Sequence, residues 1–369
     1  MKLVDGIYKW KYKAITTRET GYEHMIDTLN IISVEDFKKL TKAQQQPYVQ
    51  EVIRRIRTVN IYPIYYFNKR GVQDEIVKCA YAETTFEGDV LTEHGRAGLI
   101  LLDFLFPNLH LAEAGNSKHN NMYSRFYDDV KLAKCIHRHM KNYPFTSMRT
   151  PFFMYGRFFW NTPTNFSPMR AKAIYERFCK HGDVVYDFSA GYGGRMLGAL
   201  SAVPLMLTYI GCEPNLNTVY NLITLGEHIE ELTERKNSYM IYSTGSERLR
   251  LAKESVDFAF SCPPYFTLER YSKESSQSTV MYPVYENWLE GYVRKTLANI
   301  YDALKPGGLL GFVMAGHIYY LNKKYAIASD WVRIAEECGF VLQKTYGIKT
   351  MSRKEVANSD DLYIFKKGV

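Results

Sequence analysis

Two short stretches of the chain carry residues whose types and spacing could do chemistry. The first is "SCPPYF" at residues 261–266, directly after the apolar run "VDFAF". Neither proline has an N–H to give, so the chain must leave its strand at Ser261. It then forms a stiff, extended tip carrying Cys262, Pro263, Pro264 and Tyr265. A rigid tip of this kind fixes the carbonyl of Pro263 in space and offers the Tyr265 ring as a stacking platform. The second stretch is "DFSAGYGGR", with Asp187 before a cluster of Gly191, Gly193 and Gly194. Glycines after a strand permit positive φ and let a ligand come close to the backbone. A carboxylate at the tip of the next strand, Glu213, suits the two hydroxyls of a ribose. After the third strand, Gly245-Ser246-Glu247 is placed to meet an adenine edge.

These stretches need a scaffold that brings them together. Seven β-rich runs are legible: 183–191, 207–213, 239–244, 256–261, 308–315, 340–346 and 361–367. Helical stretches such as 285–304 separate the first five. Strands alternating with helices imply an α/β fold with a parallel sheet covered on both faces. The last two runs lie close together and suggest an antiparallel pair at the sheet's edge. Ligands of such sheets sit beyond the carboxyl ends of the strands, where both stretches fall.

In "FSPMRAKAIYERFCKHGDVVYDFSAGYGGRMLGAL", "GCEPN", "SCPPYFTLERYS" and "LKPGGLLGFVMAG" the sequence resembles the S-adenosylmethionine-dependent DNA amino-methyltransferases. The likeness is to those of phages and restriction–modification systems whose signature is a D/N/S-P-P-Y tip, and it covers roughly residues 161–369. It implies a Rossmann-like sheet of seven strands with the sixth and seventh reversed, and S-adenosylmethionine as cofactor over Gly191, Gly193 and Gly194. It implies that Asp187 faces the methionine moiety, Glu213 the ribose and Ser246 the adenine. Asn165, Phe166 and Ser167 would close over the methionine end, and Ser189, Pro214, Glu247 and Ser261 would complete the cofactor's surroundings. Arg195, at the start of the following helix, receives no role from the resemblance.

The reaction so implied is methylation of the exocyclic amine of a flipped cytosine or adenine. That amine is a poor nucleophile, because its lone pair is delocalised into the ring. Acceptors that hold the amino protons let the nitrogen pyramidalise toward the methyl group. The family carries an oxygen where this chain has Cys262, and a thiol is a weak acceptor. Three readings of Cys262 stand open in the sequence. The Pro263 carbonyl carries the acceptor role and Cys262 fills space. Alternatively, the target atom or donor differs: a thiolate attacking a ring carbon, with Arg270 the nearest cation in sequence, or a larger group from a modified sulfonium. Or the site is inactive and the protein only binds DNA. RNA is an alternative substrate.

The bulk properties fit this reading. Of a net charge of +8, residues 1–160 hold 23 basic and 17 acidic side chains. The first part, 1–150, is therefore expected to recognise DNA, and 151–369 to form the catalytic domain. Candidate nucleic-acid contacts are Arg149 and Arg157 in "RTPFFMYGRFF", and Lys9 and Lys11 in "KWKYK". The same aromatic segment also reads as plain interdomain core. Six scattered cysteines without a CxxC pair fit reduced thiols, and no metal site is expected. No apolar run nears about 18 residues, and no signal peptide is legible, so a cytoplasmic location is expected. Ser33 should cap a helix that Pro47 splits, and 107–121 reads as a loop.

Overall fold

The computed structural model describes residues 2–4, 7–9, 19–20, 30–92, 95–114, 121–160, 162–349 and 360–368. Its centre is a nine-stranded sheet. In chain order the strands are β1 (Thr85–Glu87), β2 (Val90–Thr92), β3 (Val184–Asp187), β4 (Thr208–Cys212), β5 (Tyr239–Tyr242), β6 (Val256–Ser261), β7 (Leu304–Ala315), β8 (Phe340–Lys349) and β9 (Asp360–Lys367). The spatial order is β5-β4-β3-β6-β7-β9-β8-β2-β1. All seven strands expected from the sequence are present.

Side chains alternate across the sheet, as a period of two requires. Val185, Tyr209, Phe258, Phe260 and Val313 enter one core; Tyr186, Ile210, Ala259, Leu310 and Phe312 enter the other. Helices cover both faces, which is why the strands read as nearly continuous apolar runs. The chain winds outward from β3 through β4 to β5, then returns to β6 on the other side of β3. The sheet's switch point therefore lies between β3 and β6. The glycine turn leaves β3 there and the Pro-Pro tip leaves β6.

Two expectations about the sheet need correction. Of the seven expected strands only β9 runs against its neighbours: it is antiparallel to both β7 and β8, so β8 points the same way as β3 to β7. Nor do β8 and β9 close the edge, because β2 pairs in parallel with β8 and β1 pairs antiparallel with β2.

The expected division near residue 150 does not divide the core. Val72, Ile76 and Cys79 of the helix Lys69–Tyr81, with Leu101, Leu102, Phe104 and Phe106, share one cluster with the sheet. Buried Lys172 ties them in. Its Nζ donates to the carbonyls of Cys79, Ala80 and Ala82 at 3.1, 2.7 and 2.7 Å, at the C-terminus of that helix. A cation there also meets the negative end of the helix dipole. A separate helical cluster contains Phe37, Val49, Val52, Ile56, Phe126, Ile136 and Phe152.

Ser33 caps Val34–Lys39 as expected, accepting from Asp36 N–H at 3.0 Å. The break that follows is at Leu40–Thr41, where a Thr41–Gln44 capping box starts the helix Lys42–Val59. Pro47 sits inside that helix rather than ending it. Its missing N–H removes only one bond near the N-terminus. The stretch read as a loop contains a short 3-10 turn, Pro107–Leu111, and a two-residue strand, Glu113–Ala114. Among the described residues no helix is long and apolar enough to cross a membrane.

Candidate active site

The turn and the tip border one cavity of about 660 Å³. On its turn side lie Asn165, Phe166, Ser189, Gly191, Glu213, Pro214, Ser246 and Glu247; on its tip side lie Cys262, Pro263, Pro264 and Tyr265. Twelve of the residues singled out in the sequence thus meet in one place. Ser167, Asp187, Gly193, Gly194 and Ser261 do not line it.

Asp187 is fully buried behind the turn. Its carboxylate accepts from Arg195 Nε and Tyr209 Oη at 2.8 Å each, from Ser261 Oγ at 2.7 Å and from Ser189 N–H at 3.2 Å. Its expected contact with a methionine moiety is replaced by this network. Arg195, without a role in the sequence, supplies the charge that makes burial of Asp187 tolerable. The guanidinium also donates to the Ser189 carbonyl, so it rivets the turn to the end of β3. Ser261 serves the same network, joining β6 to β3. Ser167 caps the helix Pro168–Phe178, accepting from Arg170 N–H at 3.4 Å.

The glycines divide likewise. A Cβ on Gly194 would fall 2.0 Å from the Phe166 carbonyl oxygen, and one on Gly193, at φ +76°, would fall 2.6 Å from the Phe106 ring. Protein packing, not a ligand, requires both. Gly191, at φ +54°, meets only Ser189 O at 3.6 Å and Arg195 at 3.8 Å, and it faces the cavity.

Glu213 clasps the open side of the turn. Its Oε2 accepts from Gly191 N–H at 3.1 Å and its Oε1 from Asn215 N–H at 2.9 Å. Burial pushes its carboxyl up to about 7, against the pull of those two N–H groups. Ser246 is held by Thr296, hydroxyl to hydroxyl at 2.9 Å. Among the buried polar atoms of the cavity lining, Glu247 Oε1 and Gln277 Nε2 make no hydrogen bond. Arg248 Nε approaches Glu247 Oε1 to 3.2 Å, but without hydrogen-bond geometry. An acceptor and a donor without hydrogen bonds in one cavity suit a ligand that offers both, since each is costly to leave unmade.

On the tip side, the Cys262 thiol lies 3.6 Å from Tyr265 Oη, which in turn donates to the Val313 carbonyl at 3.3 Å. Burial pushes the thiol up to about 11, although Arg195 pulls the other way. The cation acting on Cys262 is therefore Arg195; Arg270 is exposed and pairs, in register, with Glu113. Burial thus favours the neutral thiol at neutral pH and the space-filling reading of Cys262 over the thiolate one. Phe266, at φ +49°, turns back into a ring cluster with Tyr285, Trp288 and Tyr320. It packs the core.

Several wall residues escaped the sequence reading: Tyr192, Glu269, Tyr271, Gln277 and Asp360. Tyr192 stands inside the glycine cluster, and Glu269 and Tyr271 follow the tip within ten residues, so proximity to the motifs was the available signal. Asp360 had none. It arrives through the register of β9 on β7, opposite Ala315.

The nucleic-acid candidates fare differently. Arg149 donates to Asp103 and lies over the rings of Tyr65 and Phe153, at 5.0 and 4.7 Å to the centroids. It is thus engaged internally rather than presented to a phosphate. Arg157 lies on the same helix, Arg149–Phe159. Phe152, Phe153 and Tyr155 of that helix are buried, and Phe158 is exposed. Lys9 ends the short strand Ile7–Lys9, and Lys11 lies outside the described residues. Among the described residues no cluster of His, Cys, Asp and Glu is placed to hold a metal.

No family model and no curated protein matches the chain. Among solved structures it is similar to a TehB-like SAM-dependent methyltransferase from Corynebacterium glutamicum, at 13% identity over 58% of this chain and 96% of that one, with a TM-score of 0.35. It is also similar to a methyltransferase from Pyrococcus furiosus, at 15% identity over 55% and 83%, with a TM-score of 0.36. At such scores the likeness adds nothing to what the site itself supports.

Proposed function

We propose that the protein is an S-adenosylmethionine-dependent methyltransferase acting on the exocyclic amino nitrogen of a flipped cytosine or adenine in DNA. The observation that carries this reading is the shared cavity at the switch point, walled by the glycine turn on one side and by Pro263, Pro264 and Tyr265 on the other. Had the two motifs opened on opposite sides of the molecule, no single transfer could have linked them.

The residues present fit the cofactor. Glu213 offers a carboxylate to a ribose. Glu247 and Gln277 offer the acceptor and donor that an adenine edge would satisfy. The wall carries Glu213, Glu247, Glu269 and Asp360 against Arg170 and Arg195, an acidic balance suited to a sulfonium. Bound there, the cofactor would supply an electrophilic methyl carbon. On the opposite wall the Tyr265 ring stacks the extruded base, which offsets part of the few kcal/mol lost on leaving the duplex. The Pro263 carbonyl, held by the two prolines, accepts a hydrogen bond from the amino group. Cys262 remains a neutral thiol and fills space beside it. The excess of basic residues in the first part of the chain supports DNA as partner.

Calorimetry with S-adenosylmethionine and mass spectrometry of nucleosides from cells expressing the chain test this. Micromolar cofactor binding and an amino-methylated base in DNA are expected. Absence of cofactor binding would reduce the protein to a binding module. Product confined to RNA, a methylated ring carbon or a larger added mass would each replace the corresponding part of the proposal.

A further inference from the structure

The position before Pro-Pro lacks a side-chain oxygen in this chain, and the Pro263 carbonyl holds only one of the two hydrogens of an aromatic amine. We infer that Glu269 supplies it: that Glu269 is the amine-holding catalytic residue of the base pocket, and that it selects heterocycles presenting an N–H donor. The inference rests on the function proposed above.

Local geometry brings Glu269 back to the tip. The chain reverses immediately after Tyr265, with Leu268 N–H donating to the Tyr265 carbonyl at 3.1 Å and Phe266 in the left-handed region. Glu269 then enters a two-residue strand, paired with Ala114 of the chain's first part, which fixes its backbone. Its side chain lines the cavity together with Cys262 and Tyr265. Tyr271 Oη donates to Oε2 at 2.5 Å and holds the carboxylate in orientation, while Oε1 has no hydrogen-bond partner among the described residues. Tyr271 packs edge-on to Tyr192, with centroids 6.1 Å apart. The tip side thus combines aromatic walls with one anchored carboxylate that keeps a free acceptor. That combination receives a flat ring bearing a hydrogen-bond donor.

In the reaction, Glu269 Oε1 accepts one amino hydrogen and the nitrogen pyramidalises. The nitrogen's lone pair forms the new bond to carbon as the carbon–sulfur bond breaks, and that bond's electron pair stays on sulfur. The proton the nitrogen must lose passes to the Glu269 carboxylate and then to solvent. A base presenting a carbonyl oxygen at the same place, as thymine or uracil does, would face a carboxylate oxygen and be rejected.

The test compares wild type, Glu269→Gln and Glu269→Asp for cofactor affinity by calorimetry and for methylation of DNA, with kcat and KM resolved. Glu269→Gln is expected to lower kcat by about 10²–10⁴-fold, the range for a positioned acid or base. Cofactor Kd should hold within about threefold, since the turn is untouched. Glu269→Asp, which keeps the carboxylate, should recover part of the rate. Undiminished kcat in Glu269→Gln beside an active wild type would overturn this inference alone. A wild type that binds cofactor but methylates no nucleic acid would end the proposed function, and this inference with it.

Discussion

The two walls of the cavity are built on opposite plans. On the turn side, Asp187 accepts four hydrogen bonds, and every one of them joins a different part of the scaffold: the turn, β4, β6 and the following helix. On the tip side the contacts are long and few, with Cys262 3.6 Å from Tyr265 and Tyr265 3.3 Å from the Val313 carbonyl. Behind the first wall the scaffold is locked through Asp187; the side chains of the second are held more loosely. Removing Asp187 should therefore register as lost stability, and removing a tip side chain as lost function in a stable fold.

The sharpest way to break this contrast is Asp187→Ala. It leaves the Arg195 guanidinium buried without its partner, and removing one member of a buried pair costs about 3–5 kcal/mol. Chemical denaturation should show that loss, with cofactor binding lost as a consequence. Unchanged stability with weakened binding would instead put Asp187 against the ligand, and the contrast between the walls would fall.

The same contrast explains what was legible in the sequence. Short apolar runs ended by turn residues mark β3 to β9, because burial on both faces imprints itself locally. The hairpin β1–β2 escaped notice because its place is set by parallel pairing with β8, about 250 residues away, and nothing in "TFEGDVLT" encodes that partner. Within the site, the motif residues were legible but their division of labour was not. Gly191 and Gly194 look alike in sequence, yet one opens to the cavity and the other is pressed on Phe166. Asp187 and Glu213 both end strands, and only the presence of Arg195 and Tyr209 decides that the first turns inward. Glu269 depends on a reversal at Phe266, whose left-handed backbone the sequence does not announce.

Tyr265→Ala sharpens the tip side. Losing a stacking ring should cost about 1–3 kcal/mol in productive base binding. Methylation efficiency would then fall roughly 5- to 150-fold, while calorimetry with the cofactor and the unfolding transition stay where they are. A matching loss of stability would mean that the ring is a structural wedge, and the tip would resemble the turn.

Glu213 offers a smaller, graded measurement on the turn side. With its carboxyl raised to about 7, it is protonated below that pH and ionised above it. Only the ionised form accepts from two ribose hydroxyls and favours a cation nearby. Cofactor affinity should therefore rise with pH through about 7, by up to about tenfold per unit on the acid side. Glu213→Gln should flatten that dependence in calorimetry between pH 5.5 and 8.5. A dependence of the opposite sign would exclude the ionised carboxylate from the contact.

The smallest effect is expected where the sequence departs most from its resemblance. Cys262→Ser exchanges a neutral thiol for a hydroxyl of similar shape, next to Tyr265 Oη and within the field of Arg195. Serine is the better acceptor, and it takes nothing from a residue that burial already keeps protonated. The rate of transfer should hold or increase, within about tenfold, or ~1.4 kcal/mol. The double variant with Glu269→Gln then reports on the tip as a whole. If the serine oxygen restores part of the rate lost with Glu269, the two positions serve the same amine from two sides. If Cys262→Ser alone abolishes product while the cofactor still binds, the thiol does covalent chemistry, and the tip side is the more specialised wall of the two.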